Sequence, residues 1–165
     1  MFEKFGEFDS CEELNRAAAA QLKEGDYEAL YSLAAENGME KEDVEDYIDG
    51  AVEELANPLM AAYGKLDVEA RELKTYGIME DWLSYIRIRC QEEEAMAKAV
   101  RRKGKSLKGC MAALLIWSLE NAREVDKDIL KACKISYRVT LGIPGMGQAK
   151  KVITDYYFGQ EEEKK

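Results

Sequence analysis

The sequence predicts an all-α fold, a compact bundle of about seven to nine helices. Apolar residues recur every three or four positions along most of the 165 residues, which is the period of a helix packed on one face. The chain has only two prolines, and no alternation of apolar and polar residues is long enough to predict a sheet. Glycine, asparagine and aspartate residues between the periodic stretches mark the helix ends.

The N-terminal half is predicted to form short helices. Ser10 and Glu13 fit a capping box, and the helix that they begin ends at Gly25. Asp26 is expected to cap a second helix that ends at Asn37-Gly38. A third helix is expected over about 40–49, a helical continuation over 51–56, and a fourth helix from Asn57-Pro58 towards Tyr76-Gly77.

The C-terminal half is predicted to contain longer helices. One helix is expected from Asp81 to about Arg102. Ser106 is expected to cap the next, which is apolar around most of its circumference and should lie in the centre of the core. A further helix is expected from Asp126 to about Tyr137, and a last one over 148–158.

Charge divides the chain into an acidic and a basic part. The 24 Lys and Arg and 33 Asp and Glu give a net charge of −9. Residues 1–83 hold 7 basic and 22 acidic side chains, net −15, whereas residues 84–165 hold 17 and 11, net +6. We therefore expect an acidic short-helix region over 1–80, a basic helical region over 81–159 and a frayed tail over 160–165, together forming one compact domain. Such asymmetry indicates charged partners rather than a particular fold.

Several classes of function are disfavoured by residues that are missing. The chain has no histidine, so it has no imidazole base, no Ser-His or Cys-His pair and no histidine metal ligand. Its four cysteines form no CxxC pair, and the acidic stretch before Gly50 does not fit the register of a calcium-binding EF-hand loop. We therefore expect no enzyme activity, no cofactor and no metal site.

The first residues and the apolar stretches bear on location. The start of the chain is acidic and lacks the apolar run of a signal peptide. The longest apolar stretch is about half of the roughly 20 residues that span a bilayer. The sequence thus predicts a cytoplasmic protein that does not enter a membrane.

Two charged clusters are candidate binding sites. Acidic residues in the predicted third helix form a candidate surface for a basic protein partner: Glu42, Asp43, Glu45, Asp46 and Asp49. Basic residues are candidates for contacts with nucleic-acid phosphates: Arg101, Arg102, Lys103, Lys105 and Lys108. The turn at 143–147 resembles the hairpin of helix-hairpin-helix DNA-binding proteins, which adds Gly145, Gly147, Lys150 and Lys151 to the nucleic-acid candidates.

Two segments resemble a known family. KGKSLKGCMAALLIWSLENAR (103–123) has a basic turn before an apolar helix, and AKKVITDYYFG (149–159) ends in aromatic residues before an acidic tail. Together they resemble PcfK-like proteins of conjugative elements of Firmicutes, some of which are described as type II anti-CRISPR proteins that inhibit Cas9. The likeness covers about 81–159. It implies a protein of a mobile genetic element that acts through protein–protein interaction.

Three hypotheses follow from these patterns. The first is an inhibitor that binds a Cas9-type nuclease, or its complex with guide RNA, through an acidic surface and blocks nucleic-acid engagement or activation. The second is a nucleic-acid-binding accessory protein of a conjugative element that uses the basic residues. The third is a scaffold or homodimer in which the acidic and basic halves of different copies meet.

Overall fold

The computed structural model describes residues 3–159, and this part of the chain contains nine α-helices and one short two-stranded ladder. The all-α prediction is confirmed. The helices are α1 (Cys11–Glu24), α2 (Tyr27–Glu36), α3 (Lys41–Ile48), α4 (Pro58–Leu73), α5 (Ile78–Glu92), α6 (Glu94–Arg101), α7 (Leu107–Glu120), α8 (Lys127–Ala132) and α9 (Met146–Phe158). The strands are β1 (Arg123–Glu124) and β2 (Thr140–Leu141), which pair antiparallel.

The contacts within the chain divide it into two units. The first unit runs through Lys108 and contains α1 to α6 with the first two residues of α7. The second begins at Gly109 and contains the rest of α7, both strands, α8 and α9. The region expected to be acidic, over 1–80, belongs to the first unit, and the tail expected over 160–165 lies outside the described residues. None of the helices in the described part of the chain is both long and apolar enough to cross a bilayer.

Side-chain caps begin the N-terminal helices where the sequence predicts them. The Ser10 hydroxyl accepts the Glu13 N–H at 3.1 Å. The Glu13 carboxylate reaches back to the N–H of Asp9, one residue before the cap, at 2.6 Å. At α4 the Asn57 side chain accepts the Met60 N–H at 2.9 Å, with proline at the first helical position. These bonds satisfy N–H groups that have no partner within the helix.

The core of the first unit lies between α1, α2, α3 and α4. Leu14, Leu30, Leu33, Val44 and Ala61 belong to one buried cluster and expose 1% of their surface or less. Burying one such leucine contributes about 1.5–3 kcal/mol. Beside this cluster, α4 packs against α5 and α6. The side of α3 opposite to the core is exposed to solvent.

Two glycines let the end of α2 approach α4 closely. Gly38 has φ +71°, and a Cβ atom there would lie 2.3 Å from the Gly64 carbonyl oxygen. A Cβ atom on Gly64 would lie 2.1 Å from the Asn37 carbonyl oxygen. The two backbones are therefore in contact, and neither position has room for a larger residue.

The structure corrects two predicted helices in the first unit. The segment 51–55 forms bends instead of continuing α3, because Gly50 turns the chain at φ +72°. The helix predicted from Asp81 to Arg102 is two helices, α5 and α6, which are separated by Glu93 in an extended conformation. The three successive glutamates over 92–94 place negative charge at the C-terminal end of α5, where it opposes the helix dipole.

The second unit differs from the prediction at three places. α8 ends at Ala132 and not near Tyr137, and Lys134 follows with φ +58°. The ladder of β1 and β2 was not expected, because two residues per strand are too few to give a period-2 signal. The apolar α7 is not central in a core: Leu107, Cys110 and Leu114 are buried, but the opposite side of the helix is exposed.

Candidate functional site

The exposed side of α3 carries a row of carboxylates. Val44 and Tyr47 point into the core, while Glu42, Glu45, Asp46 and Asp49 are exposed on the other side. We call these four residues the acidic face. The fold thus presents to solvent four of the five acidic residues proposed from the sequence as a partner surface.

The fifth residue, Asp43, has a structural role as well. Its carboxylate accepts the Glu40 N–H at 3.0 Å, as part of a capping box at the start of α3. Asp43 is half-buried. One residue of the acidic face is also paired, since the Lys41 ammonium lies 2.9 Å from the Glu45 carboxylate on the adjacent turn. Exposed pairs of this kind are weak and leave the carboxylate available to a partner.

A cavity of about 240 Å³ lies beside α3, between the helix and the segment that follows it. We call it the carboxylate cavity. It has an acidic part, with Asp43, Asp46 and Glu54, and an apolar part that includes Val52 and Met60. Burial and the nearby Glu54 both raise the pKa of Tyr47, burial being the larger cause.

The carboxylate cavity has the chemistry to hold a lysine or arginine side chain from another protein. Such a side chain has an apolar stem, suited to Val52 and Met60, and a cationic end, suited to carboxylates. Glu54 was not among the residues proposed from the sequence. The sequence predicted a helix over 51–56, and a helix would give the Glu54 side chain a different direction. Gly50 is the residue in the sequence that signals the turn before Glu54.

A second cluster of charges lies inside the first unit. The Lys65 side chain on α4 is fully buried. Its ammonium donates to the Glu7 carboxylate at 2.6 Å and to the carbonyls of Arg102 and Lys105 at 2.9 and 2.5 Å. Desolvation lowers the pKa of Lys65, although the hydrogen bond to Glu7 opposes this. Lys65 therefore connects the N-terminal segment and the turn after α6 to α4.

Two further buried residues complete this cluster. Glu69, one turn after Lys65, accepts the Leu107 N–H at 2.7 Å at the start of α7. Burial raises the pKa of Glu69, while this hydrogen bond and Lys65 act in the opposite direction. Arg101 exposes 1% of its surface and donates to the Asn37 side chain at 2.8 Å. The charges compensate each other within the fold, which indicates a structural role.

The buried cluster corrects part of the nucleic-acid hypothesis. Arg101 exposes 1% and Lys105 8% of their surface, so these two residues are not positioned to contact phosphates. Arg102, Lys103 and Lys108 are exposed. The backbone N–H of Lys103 donates to the Asp9 carboxylate at 2.9 Å. The basic cluster seen in the sequence is therefore divided between the interior and the surface.

The turn at 143–147 is not a hairpin between two helices. It follows the strand β2 and leads into α9, which begins at Met146. Gly145 precedes the helix and Gly147 lies in its first turn, and neither has a positive φ. Lys150 and Lys151 are exposed on α9. The predicted helix-hairpin-helix motif is wrong, because a strand and not a helix precedes the turn.

Two other cavities have mixed linings. A cavity of about 400 Å³ beside α4 and α5 is lined by Arg71, Lys74 and Arg87 together with Asp67 and Glu80, and Arg87 pairs with Asp67. A cavity of about 410 Å³ in the second unit is lined by residues 124–139, with apolar and basic side chains. Among residues 3–159, no group of three or more Cys, Asp or Glu side chains is arranged to hold a metal ion.

Comparisons of the chain with protein-family models, with curated proteins and with solved structures gave no match. The resemblance to PcfK-like proteins stays a prediction. The arguments about function below rest on this chain's own charges, cavities and exposed surfaces.

Proposed function

We propose that this chain is a non-enzymatic cytoplasmic protein that binds a positively charged protein surface through the acidic face. The observation that supports the proposal is the combination of two features. Four exposed carboxylates lie on α3, and a cavity lined by three carboxylates lies beside the helix. Basic side chains of a partner would pair with the acidic face, and one of them would insert into the carboxylate cavity.

The charge of the first unit favours such a complex. Residues 3–108 carry 25 acidic and 15 basic side chains, a net charge of −10. Complementary fields of this kind raise association rates by about 10- to 1,000-fold at low ionic strength. Charge complementarity also discriminates against acidic partners, because like charges repel at a close interface.

A Cas9-type nuclease is the partner that we propose to test first. The resemblance to PcfK-like proteins motivates this choice. Nucleases of this type hold guide and target nucleic acids in positively charged channels. An acidic protein bound in such a channel would compete with nucleic acid or prevent the movement that activates cleavage. Neither mode of inhibition needs a catalytic residue or a cofactor.

The proposal predicts that neutralising the acidic face weakens binding and inhibition. We expect Glu42→Gln/Glu45→Gln/Asp46→Asn to raise the Kd for the nuclease at least about tenfold, because each change removes a carboxylate that would face a cation. Binding is measured by biolayer interferometry and inhibition by DNA cleavage. Val52→Trp, which fills the carboxylate cavity without changing charge, is expected to weaken binding as well.

A matched variant distinguishes the surface from net charge. Glu92→Gln/Glu93→Gln/Glu94→Gln removes the same three charges from exposed positions at the junction of α5 and α6. It should bind as the unchanged protein does. Equal losses for both triple variants would contradict the role of the acidic face, and unchanged cleavage across several nucleases would contradict the choice of partner.

The exposed basic residues support a second function, binding to nucleic acid. Arg102, Lys103 and Lys108 are exposed in the structure, as are Lys150 and Lys151. Phosphate contacts release counterions, so this function requires affinity that falls steeply with salt concentration. Fluorescence anisotropy with duplex and single-stranded DNA tests it, and no binding at low salt would exclude it.

A further inference from the structure

The cavity of about 400 Å³ beside α4 and α5 is lined by side chains of both charges, and we call it the mixed-charge cavity. All of its lining residues belong to the first unit. Its ionisable side chains are three cations and three carboxylates: Arg71, Lys74, Arg87, Glu40, Asp67 and Glu80. None of them belongs to the acidic face, so a role for this cavity does not depend on the proposed function. The volume is within the range of small-molecule sites, and a lining with this many charges suits a small polar ligand.

Asp67 positions two arginines at this cavity. The Arg71 Nε–H donates to the Asp67 backbone carbonyl at 3.2 Å, and the Arg87 guanidinium pairs with the Asp67 carboxylate. Because Arg71 is anchored through Nε, its two terminal amino groups can donate in parallel to one oxyanion. Among residues 3–159, neither Arg71 nor Lys74 forms an ion pair with a carboxylate. The cavity therefore contains two cations that are available to a carboxylate or phosphate group.

Lys74 has a backbone conformation that lysine rarely adopts. It ends α4 with φ +51° and ψ +55°, in the left-handed region. Glycine adopts this conformation without steric cost and is the usual residue at such helix ends. A lysine within the last turn would interact equally well with the helix dipole and avoid that cost. The presence of Lys74 in the cavity lining is therefore better explained by a ligand than by the stability of α4.

The carboxylates of the cavity come from different elements. Glu40 precedes α3, and Glu80 lies in the first turn of α5, where its carboxylate accepts the Thr75 hydroxyl. Both glutamates are exposed, and neither forms an ion pair within the described part of the chain. With Asp67 and Arg87 paired to each other, two cations and two carboxylates of the cavity remain outside ion pairs. A ligand of one sign would be attracted by one pair of charges and repelled by the other, whereas a ligand with both signs can satisfy both.

We propose that the mixed-charge cavity binds a small zwitterion, a molecule with one oxyanion group and one ammonium group, such as an amino acid. The oxyanion would pair with Arg71 and Lys74, and the ammonium with the two exposed glutamates. Contacts of this kind are charge-assisted hydrogen bonds, the stronger class. Ala70 and Leu83 give the lining a small apolar area for the rest of the ligand. Arginine and lysine bind carboxylate and phosphate groups alike, so amino acids and amino phosphates share the required chemistry.

Isothermal titration calorimetry with the full chain tests the proposal. The probes are the common amino acids, which have a carboxylate, and phosphoethanolamine, which has a phosphate, so the tighter class identifies the oxyanion. At least one zwitterion should bind with a Kd below about 1 mM. Acetate, inorganic phosphate and ethylamine should each bind at least about tenfold more weakly, because each carries charge of one sign only. No binding of any zwitterion up to about 10 mM, or equal binding of a one-sign probe, would overturn the proposal.

A substitution at Lys74 separates ligand binding from stability. Lys74→Gly should raise the midpoint of thermal unfolding, because glycine tolerates the left-handed conformation, and should weaken zwitterion binding at least about tenfold. Lys134→Gly is the matched control, because Lys134 follows α8 with φ +58° and does not line the cavity. It should also raise the midpoint but leave the affinity unchanged. An unchanged affinity in Lys74→Gly, or an equal loss in Lys134→Gly, would overturn the proposed site.

Discussion

At the scale of single residues, Lys65 has the most demanding environment. Its ammonium is surrounded by one carboxylate and two backbone carbonyls that come from distant parts of the first unit. A buried ammonium is costly unless such partners are present, and its partners would in turn be left unpaired without it. The residue thus holds together segments that are 37 to 58 positions apart in the sequence.

Replacing Lys65 should therefore destabilise the protein. Lys65→Met removes the cation and leaves Glu7 and two carbonyls without it, for which we expect a loss of about 3 kcal/mol in the free energy of unfolding. Urea unfolding followed by circular dichroism measures the loss. Lys98→Met is the control, since Lys98 pairs with Glu94 on the surface of α6 and is half exposed. Equal stability of the two variants would contradict the structural role of Lys65.

The sequence could not reveal which cations are buried. Arg101 and Lys105 stand among other basic residues in a stretch that resembles a surface patch. Their burial depends on partners such as Asn37, which is 64 positions from Arg101. No local pattern encodes such a pairing. The acidic residues of α3 could be assigned to the surface, because Val44 and Tyr47 define the inner side of that helix by helical spacing alone.

At the scale of elements, local signals predicted most helix boundaries but not the path between helices. The caps at Ser10, Asp26 and Asn57 begin helices in the structure where the sequence predicted them. The break at Glu93 was missed because residues on both sides keep a helical period. The exposure of α7 was missed because an apolar helix is usually buried, and a sequence does not state what covers it.

The contact between α2 and α4 gives a prediction at this scale. Gly64→Ala would favour a helix by about 1 kcal/mol in isolation, yet its Cβ atom would meet the Asn37 carbonyl oxygen. We expect a net loss of at least about 2 kcal/mol in the free energy of unfolding. Gly147→Ala in α9, where a Cβ atom meets nothing within 4 Å, should cause no loss. Chemical denaturation compares the two, and a stabilised Gly64→Ala would contradict the close contact.

At the scale of the whole molecule, two kinds of surface coexist. The acidic face is polar and belongs to the first unit, whereas the exposed side of α7 is mainly apolar. Electrostatic attraction between exposed charges is screened over about 8 Å at physiological ionic strength, while apolar association is not. The net charge of −9 makes two copies repel each other, and salt reduces that repulsion.

Salt should therefore separate the two interactions. Raising sodium chloride from 0.05 to about 1 M should weaken binding to a basic partner at least about tenfold, whereas self-association through apolar surface should be as strong or stronger. Interferometry measures the first effect and ultracentrifugation the second, in the same buffers. Self-association that is lost at high salt would indicate that acidic and basic regions of different copies meet, as in the third hypothesis from the sequence.

The backbone contact between Gly38 and Gly64 also constrains how this sequence can vary over evolution. A side chain at either position would collide with backbone atoms of the other segment. A smaller side chain nearby could not relieve such a collision. Divergent relatives that keep this fold should retain an Asn-Gly pair, followed 26 residues later by a helical glycine. Loss of either glycine in a relative would indicate that the backbones of α2 and α4 are no longer in contact there.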